Sequence, residues 1–227
     1  MNYSKLFSFI VISVTIGMFF SCKEKTSPEP AIAIKYLALG DSYTIGEGVE
    51  ENERWPNQLS AQLNLNGIEL QKTQIIAQTG WKTSDLLNGI ADSTLNEYNL
   101  VSLLIGVNNQ FWGQPFDVFQ TEFDSLVDIA KEAVGKERIF IVSIPDYGVT
   151  PFGSSNSENI ANDIDMYNGY ISDRCIEEGF PFINVTEISR QLGSSNGALA
   201  SDNLHPSAYQ YSLWVNEILP HVLEIVR

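Results

Sequence analysis

After about residue 33, short runs of apolar and β-branched residues alternate along the chain with longer segments in which apolar residues recur every three or four positions. This alternation is typical of strand-helix-strand units, in which helices cover both faces of a parallel β-sheet. Several of the short runs are continuously apolar, as strands buried on both faces must be. The pattern therefore predicts an α/β fold with three layers, α/β/α, around a mainly parallel five-stranded sheet.

The periodicity of the apolar residues also places the individual strands and helices. The predicted strands are residues 34–39, 68–77, 100–105, 138–144 and 181–185. The predicted helices are residues 55–65, 83–90, 117–134, 159–178 and 207–226. Because ligands of open α/β sheets bind beyond the carboxyl ends of the strands, functional residues should come where the strands end.

The first 21 residues carry one charge, Lys5, followed by an apolar run at 6–20 that is too short to span a membrane and is typical of a secretory signal. Ser21-Cys22 after this run resembles the lipobox of bacterial lipoproteins, although Phe19 stands where leucine is more usual. The resemblance implies a lipid on Cys22, a tether at 22–33 and one domain at 34–227. We expect attachment to the bacterial cell envelope, facing the periplasm or the cell surface. The alternative is an ordinary signal peptide.

The chain is strongly acidic, with 13 basic and 28 acidic residues and a net charge of −15, which loss of Lys5 with the signal would bring to −16. Nucleic acid is excluded as a partner because phosphate binding needs concentrated lysine and arginine. Neutral substrates are favoured over polyanions. A lipidated Cys22 would leave Cys175 without an intramolecular disulfide partner, so we expect Cys175 to be a small buried residue of a monomeric domain.

Four short stretches that follow predicted strands would meet at one edge of the sheet: Gly40-Asp41-Ser42, Gly80-Trp81, Asn108-Asn109 and Asp202-Asn203-Leu204-His205. In this order they resemble the SGNH or GDSL hydrolase family, whose conserved blocks centre on a serine, a glycine, an asparagine and an Asp-x-x-His pair. The likeness covers roughly residues 34–221. It implies a carboxylic ester hydrolase.

A serine hydroxyl becomes a good nucleophile when an imidazole accepts its proton and a carboxylate orients the imidazole. The resemblance assigns these roles to Ser42, His205 and Asp202. The only other histidine, His221, has no carboxylate at this spacing and is interpreted as a surface residue of the last helix. Asp41 is interpreted as structural, holding the loops around the serine.

The resemblance also implies three donors for the oxyanion of the tetrahedral intermediate: the backbone N–H groups of Ser42 and Gly80 and the side-chain amide of Asn108. Residues near these blocks are candidates for substrate contact, namely Trp81, Asn109 and Trp112. With Phe111 and Phe152, the tryptophans could line an acyl pocket or stack on a sugar ring, or they could simply pack loops onto the body of the domain.

The chain departs from the family pattern at two positions: Tyr43 replaces the leucine of the GDSL block, and Asn109 stands where aspartate often follows the asparagine. The Gly-x-Ser-x-Gly elbow of α/β-hydrolases is missing, so the expected fold is flavodoxin-like instead. The two histidines lack the spacing of a zinc site and no glycine-rich phosphate loop is present, so we expect neither metal nor cofactor.

Several substrates are compatible with these residues. The favoured hypothesis is hydrolysis of short acyl esters, such as O-acetyl groups on glycans or other extracytoplasmic esters. A lipase, lysophospholipase or thioesterase acting on longer acyl chains is the alternative among enzymes, and acyl transfer would use the same triad. The alternative from another class is a non-catalytic cell-surface protein that binds glycans.

Overall fold

The computed structural model describes residue 1 and residues 33–227, and the centre of the described chain is a parallel sheet in the order β2-β1-β3-β4-β5. The strands are β1 (Ile34–Gly40), β2 (Leu70–Ala77), β3 (Leu100–Leu104), β4 (Ile139–Val142) and β5 (Phe182–Ile183). All four strand pairs are parallel. This order is the flavodoxin-like one, so the predicted five-stranded parallel sheet is confirmed.

Helices cover both faces of the sheet, as predicted. They are α1 (Ser42–Ile45), α2 (Trp55–Leu65), α3 (Thr83–Ile90), α4 (Val107–Phe111), α5 (Phe116–Val134), α6 (Ser157–Glu178), α7 (Thr186–Leu192) and α8 (Ala208–Val226). Helix α2 packs against α8, and α3 packs against α5. The predicted bounds of α2 and α3 are the observed ones, whereas the short helices α1, α4 and α7 were not placed as separate helices by periodicity.

Strand β4 is shorter than the apolar run that predicted it, because a side chain replaces the neighbouring strand as the hydrogen-bond partner of the backbone at Ile144. The backbone N–H of Ile144 donates to Asn168 Oδ1 at 2.8 Å, and its carbonyl accepts from Asn168 Nδ2 at 2.9 Å. The next strand, β5, pairs with β4 over two residues only. The apolar sequence therefore continues past the last residue of β4 that pairs with a neighbouring strand, and the chain after it forms a loop.

The core lies between the central strands and one face of each long helix. Strand β3 is buried along its whole length. Helix α5 buries Phe119, Phe123, Leu126, Val127 and Ala130, which recur at helical spacing. Cys175 on α6 is buried and forms no disulfide with another described residue, and burial raises the pKa of its thiol to about 12. A thiol with such a pKa is unreactive and serves as a small apolar side chain.

The N-terminal predictions concern residues that the structure does not describe. The signal at 1–21, the lipidation of Cys22 and the tether at 22–33 fall almost entirely in residues 2–32, outside the described residues. Among the described helices, none combines the length and the apolar character that crossing a membrane requires.

The last residue of β1, Gly40, lies in a place too narrow for a side chain. A Cβ atom there would be 2.2 Å from Thr44 Oγ1 and 2.4 Å from the Leu104 carbonyl oxygen. Thr44 belongs to α1 and Leu104 ends β3, so the missing side chain allows helix and strand to approach β1 closely. This close approach fixes the position at which the chain enters α1, and Ser42 is the first residue of that helix.

Replacing Gly40 by alanine should destabilise the fold by roughly 1–3 kcal/mol, because a backbone carbonyl and a buried threonine would both have to move. The matched control is Gly169→Ala in α6, where a Cβ atom meets nothing within 4 Å. That change should raise stability by up to about 1 kcal/mol through helix propensity. Urea denaturation of both variants measures the difference, and equal stabilities would contradict this account of β1.

Candidate active site

Ser42 begins α1 directly after β1, at the carboxyl end of the sheet. Asp41 caps the helix, and its Oδ1 accepts a hydrogen bond of 3.0 Å from the backbone N–H of Tyr43. The first N–H groups of a helix have no acceptor within the helix, so the backbone N–H of Ser42 does not take part in the hydrogen bonds of α1. The side chain of Ser42 is nearly buried, with 5% of the residue exposed.

His205 and Asp202 form a close pair in the turn before α8. Asp202 Oδ2 lies 2.6 Å from His205 Nδ1, and Asp202 Oδ1 accepts from the backbone N–H groups of Leu204 at 2.9 Å and His205 at 3.0 Å. Partial burial opposes ionisation of Asp202, but these hydrogen bonds outweigh it and lower the pKa of the carboxyl. An ionised Asp202 favours the tautomer with the proton on Nδ1, which leaves Nε2 as an acceptor.

The turn that carries this pair is fixed by its backbone. Ala200 N–H donates to the His205 carbonyl at 2.8 Å, and a β-bridge joins Leu199 to Pro206. Asn203 has φ of 59°, a left-handed conformation that asparagine tolerates better than most residues. The turn therefore holds the imidazole and the carboxylate at a fixed separation.

A cavity of about 150 Å³ brings residues from the four predicted blocks together. Ser42, Gly80, Asn108 and His205 line it, and so do Tyr43, Thr79, Val107, Phe111, Tyr147, Phe152 and Leu204. Most of the additional residues are apolar or aromatic. Within the described part of the chain, no hydrogen bond joins the Ser42 hydroxyl to the His205 ring, a bond that in hydrolases often tightens only when substrate binds.

Gly80, in the loop after β2, and Asn108, in α4 after β3, face the same cavity. Gly80 has φ of 85°, which favours glycine because a Cβ atom would clash with its own backbone. Asn108 Nδ2 donates one hydrogen bond of 2.9 Å to the Trp81 carbonyl, which ties the two loops together. The amide has a second N–H group, so Asn108 can both hold the loop and bind another acceptor.

Residues 38–213 match the GDSL-like lipase/acylhydrolase family over most of the chain. The chain belongs to this family. It is therefore a carboxylic ester hydrolase, as the order of its motifs predicted. A search of curated proteins gave no significant match by sequence.

Solved structures support the same fold at low sequence identity. A phospholipase A1 from Streptomyces albidoflavus has 20% identity and a TM-score of 0.65, and the match covers 86% of this chain and 100% of that one. An esterase from a Pseudoalteromonas species, solved inhibited by monoethylphosphonate, has 17% identity, a TM-score of 0.64 and coverage of 84% and 97%. A GDSL-like lipase from Bacteroides thetaiotaomicron has 16% identity, a TM-score of 0.64 and coverage of 84% and 88%.

Tyr43, which departs from the family pattern, places an aromatic ring against His205. Tyr43 is buried, and its ring centroid lies 5.7 Å from that of His205 in an edge-to-face arrangement. On its other side the ring contacts Trp214 of α8, at 6.3 Å between centroids. Tyr43 therefore packs the imidazole against the last helix, a role that the motif alone did not indicate.

Asn109 was predicted to contact substrate, but the structure gives it a different place. Its side chain is fully buried and accepts from the backbone N–H of Thr83 at 3.1 Å, while its Nδ2 donates to Thr83 Oγ1 at 2.6 Å and to Gln114 Oε1 at 2.8 Å. Thr83 Oγ1 in turn donates to Glu122 of α5. Asn109 thus fastens the start of α3 to α4, because its amide can donate and accept at once.

The two tryptophans also lie outside the cavity lining. A Cβ atom at Gly89 would be 2.4 Å from the Trp81 ring, so Trp81 packs on α3. Trp112 is 68% exposed, and its ring centroid lies 5.1 Å from that of Phe111.

Tyr147 and Leu204, which line the cavity, were missed because nothing in a single sequence separates a cavity-facing tyrosine or leucine from a packed one. Across residues 33–227, no group of three or more His, Cys, Asp or Glu side chains could hold a metal ion.

Asp41 directly precedes Ser42 in the chain, and its surroundings differ from those of Asp202. It is fully buried, its Oδ1 caps α1, and its Oδ2 makes no hydrogen bond with the described residues. Burial raises the pKa of Asp41 from an ordinary value of 3.8 to about 7, against the smaller effect of the backbone hydrogen bonds. The carboxyl is therefore neutral over much of the acid range.

Removing the three hydrogen bonds of Asn109 with Asn109→Ala should lower the free energy of unfolding by about 2–3 kcal/mol, since it leaves the backbone N–H of Thr83 buried without an acceptor. The change Thr83→Ser keeps the hydroxyl and should cost less than half as much. Denaturant titration measures both variants. A loss below about 0.5 kcal/mol for Asn109→Ala would contradict the link between α3 and α4.

Asp41→Asn should remove a pH dependence of stability. Because the folded pKa of Asp41 is raised, its neutral form stabilises the fold fully below pH 3.8, and this contribution is lost as the pH rises through about 7. Between pH 5 and pH 8 the variant should therefore gain roughly 1–3 kcal/mol of stability relative to wild type. Urea denaturation at both pH values tests this, and a constant difference between the proteins would refute it.

Proposed function

We propose that Ser42, His205 and Asp202 are the nucleophile, the general base and the orienting carboxylate of an esterase that removes short acyl groups. The observation that carries this proposal is the 2.6 Å contact of Asp202 with His205 Nδ1, on a ring that faces the same cavity as Ser42. A carboxylate held against Nδ1 leaves Nε2 to accept a proton, and the serine is the nucleophilic side chain on that cavity.

The reaction follows from this arrangement in two steps. Ser42 Oγ attacks the ester carbonyl while its proton passes to His205 Nε2, and the C–O bond breaks as His205 returns the proton to the leaving alcohol. A water molecule then attacks the acyl-serine with the same help from His205 and releases the carboxylic acid. In both steps the oxyanion accepts from the backbone N–H groups of Ser42 and Gly80 and from Asn108 Nδ2.

The size of the cavity supports short acyl groups over long ones. A volume of about 150 Å³ accommodates a group about as large as benzene. Acetyl or butyryl groups fit within this space, whereas a lipase, lysophospholipase or thioesterase substrate would need a longer apolar groove for its chain. Acetylesterase activity is therefore favoured over hydrolysis of long-chain lipids.

The charge of the protein supports a neutral alcohol in the substrate. With a net charge of −15, the chain repels polyanions, and the hydroxyl-rich alcohols of glycans carry no charge of their own. We propose O-acetylated glycans outside the cytoplasm as the substrate class. A protein that only binds glycans would not need a histidine and an aspartate held at 2.6 Å beside a serine.

Purified protein lacking residues 1–30 should hydrolyse p-nitrophenyl acetate and butyrate and cleave the long-chain palmitate at least tenfold more slowly. Ser42→Ala and His205→Ala should lower kcat by about 10⁴-fold, because proton transfer to and from the serine oxygen is lost. Asp202→Asn should lower kcat by about 10²–10⁴-fold, since the wrong tautomer of His205 is then favoured. The release of p-nitrophenol measures all of these rates.

The matched control is His221→Ala, which changes the other histidine of the chain and should keep full activity. A phosphonate ester that reacts with serine hydrolases should add mass to the wild type and not to Ser42→Ala, which separates a demanding substrate from the absence of a nucleophile. Equal rates for wild type and Ser42→Ala, together with no labelling, would refute the proposal.

A further inference from the structure

Three exposed aromatic side chains lie beside one another, and two of them line the cavity. Phe111 is 44% exposed, Trp112 is 68% exposed and Phe152 is 54% exposed. The ring centroid of Phe111 lies 5.1 Å from that of Trp112 and 5.8 Å from that of Phe152. A cluster of apolar rings that stays in water contributes little to the core, and such clusters are typical of binding sites. We refer to Phe111, Trp112 and Phe152 as the aromatic platform.

The aromatic platform is continuous with the catalytic cavity. Phe111 and Phe152 line the same cavity as Ser42 and His205, and Trp112 extends the surface outward from Phe111. With a volume of about 150 Å³, the cavity has room for a short acyl group and little more. The alcohol part of an ester held at Ser42 must then lie at the mouth, where the platform is within reach.

Two rings of the platform, Phe111 and Phe152, pack against Tyr147, which hydrogen bonds hold on the cavity wall. Tyr147 contacts both Phe111 and Phe152, at 6.2 and 6.3 Å between ring centroids, and its hydroxyl donates to Gln110 Oε1 at 2.8 Å. Gln110 Nε2 donates to Asp163 of α6 at 2.9 Å. A surface fixed in this way loses little freedom when a ligand binds, which favours recognition of a rigid group.

One polar side chain of the same cavity, Thr79, indicates what kind of ring would bind. Thr79 lines the cavity, and its hydroxyl donates to the exposed carboxylate of Glu47 at 2.5 Å. A pyranose ring can place a C–H face on aromatic side chains and donate its hydroxyl groups to a carboxylate. A phosphate or another anion would be repelled by Glu47 and by the acidic protein as a whole.

We propose that the aromatic platform is a subsite for the ring of the alcohol in the ester, with a pyranose as the ligand. This inference rests on the proposed function, because it places the acyl group at Ser42 and the sugar over Phe111, Trp112 and Phe152. It assigns specificity for the alcohol to the segments that follow β3 and β4, and the proposed catalytic residues stay the same.

Three acetates that share the acyl group test the proposal: ethyl acetate without a ring, phenyl acetate with a flat ring and no hydroxyl, and a methyl O-acetyl-xylopyranoside. For Trp112→Ala and for Phe152→Ala, the ratio of kcat/KM on the xylopyranoside to that on ethyl acetate should fall roughly tenfold, mainly through KM. Tyr209→Ala, which removes a 56% exposed aromatic ring from α8 outside the cavity lining, should leave the ratio unchanged.

Each other result overturns a definite part of the proposal. An equal loss on ethyl acetate and the xylopyranoside at unchanged Tm would show that the platform supports the catalytic residues and binds no ring. A loss confined to phenyl acetate would replace the sugar by an aryl group. Reduced binding of the variants to phosphatidylcholine vesicles, with no effect on ring esters, would make the platform a membrane contact. Failure of the wild type on all three acetates would refute the proposed function itself.

Discussion

The pairing of β1 with β3 determines where this enzyme can bind a substrate. In the order β2-β1-β3-β4-β5, β2 lies on one side of β1 and β3 lies on the other. The connection that follows β1 and the connection that follows β3 therefore run in opposite directions across the sheet. This leaves a crevice at the carboxyl ends of β1 and β3. Ser42 follows β1 and Asn108 follows β3, so a serine hydroxyl and an amide donor both face this crevice.

Two carboxyls near this crevice are placed in opposite environments. Asp202 is partly exposed and accepts three hydrogen bonds, which keep it ionised beside the imidazole. Asp41 is buried with one oxygen unpartnered, which favours its neutral form. A charge at Asp41 would add a second anion beside Ser42. Its burial therefore lets Asp41 cap α1 while the negative charge stays on the far side of the histidine.

Much of the fold could be predicted because long elements repeat their apolar pattern many times. Helices α2 and α3 have the predicted bounds, whereas the short helices α1, α4 and α7 are too brief to show a period. Motifs likewise located Ser42, Gly80, Asn108 and His205, which line one cavity. They did not locate Tyr147, and they placed Asn109 and Trp81 against substrate. Whether such a side chain faces a cavity or a neighbouring helix depends on how loops pack, and sequence spacing does not encode that.

The loops around the crevice are held mainly by polar side chains. Asn109 joins α3 to α4, Gln110 joins α4 to Tyr147 and α6, and Arg190 binds the buried Asp146 at 2.9 Å in the loop after β4. Hydrogen bonds fix direction more narrowly than apolar contacts do, because they weaken steeply as the donor turns away. Donors that already point at the developing charge need no reorganisation during the reaction. The polar ties between loops thus give the residues around this crevice fixed directions before any substrate binds.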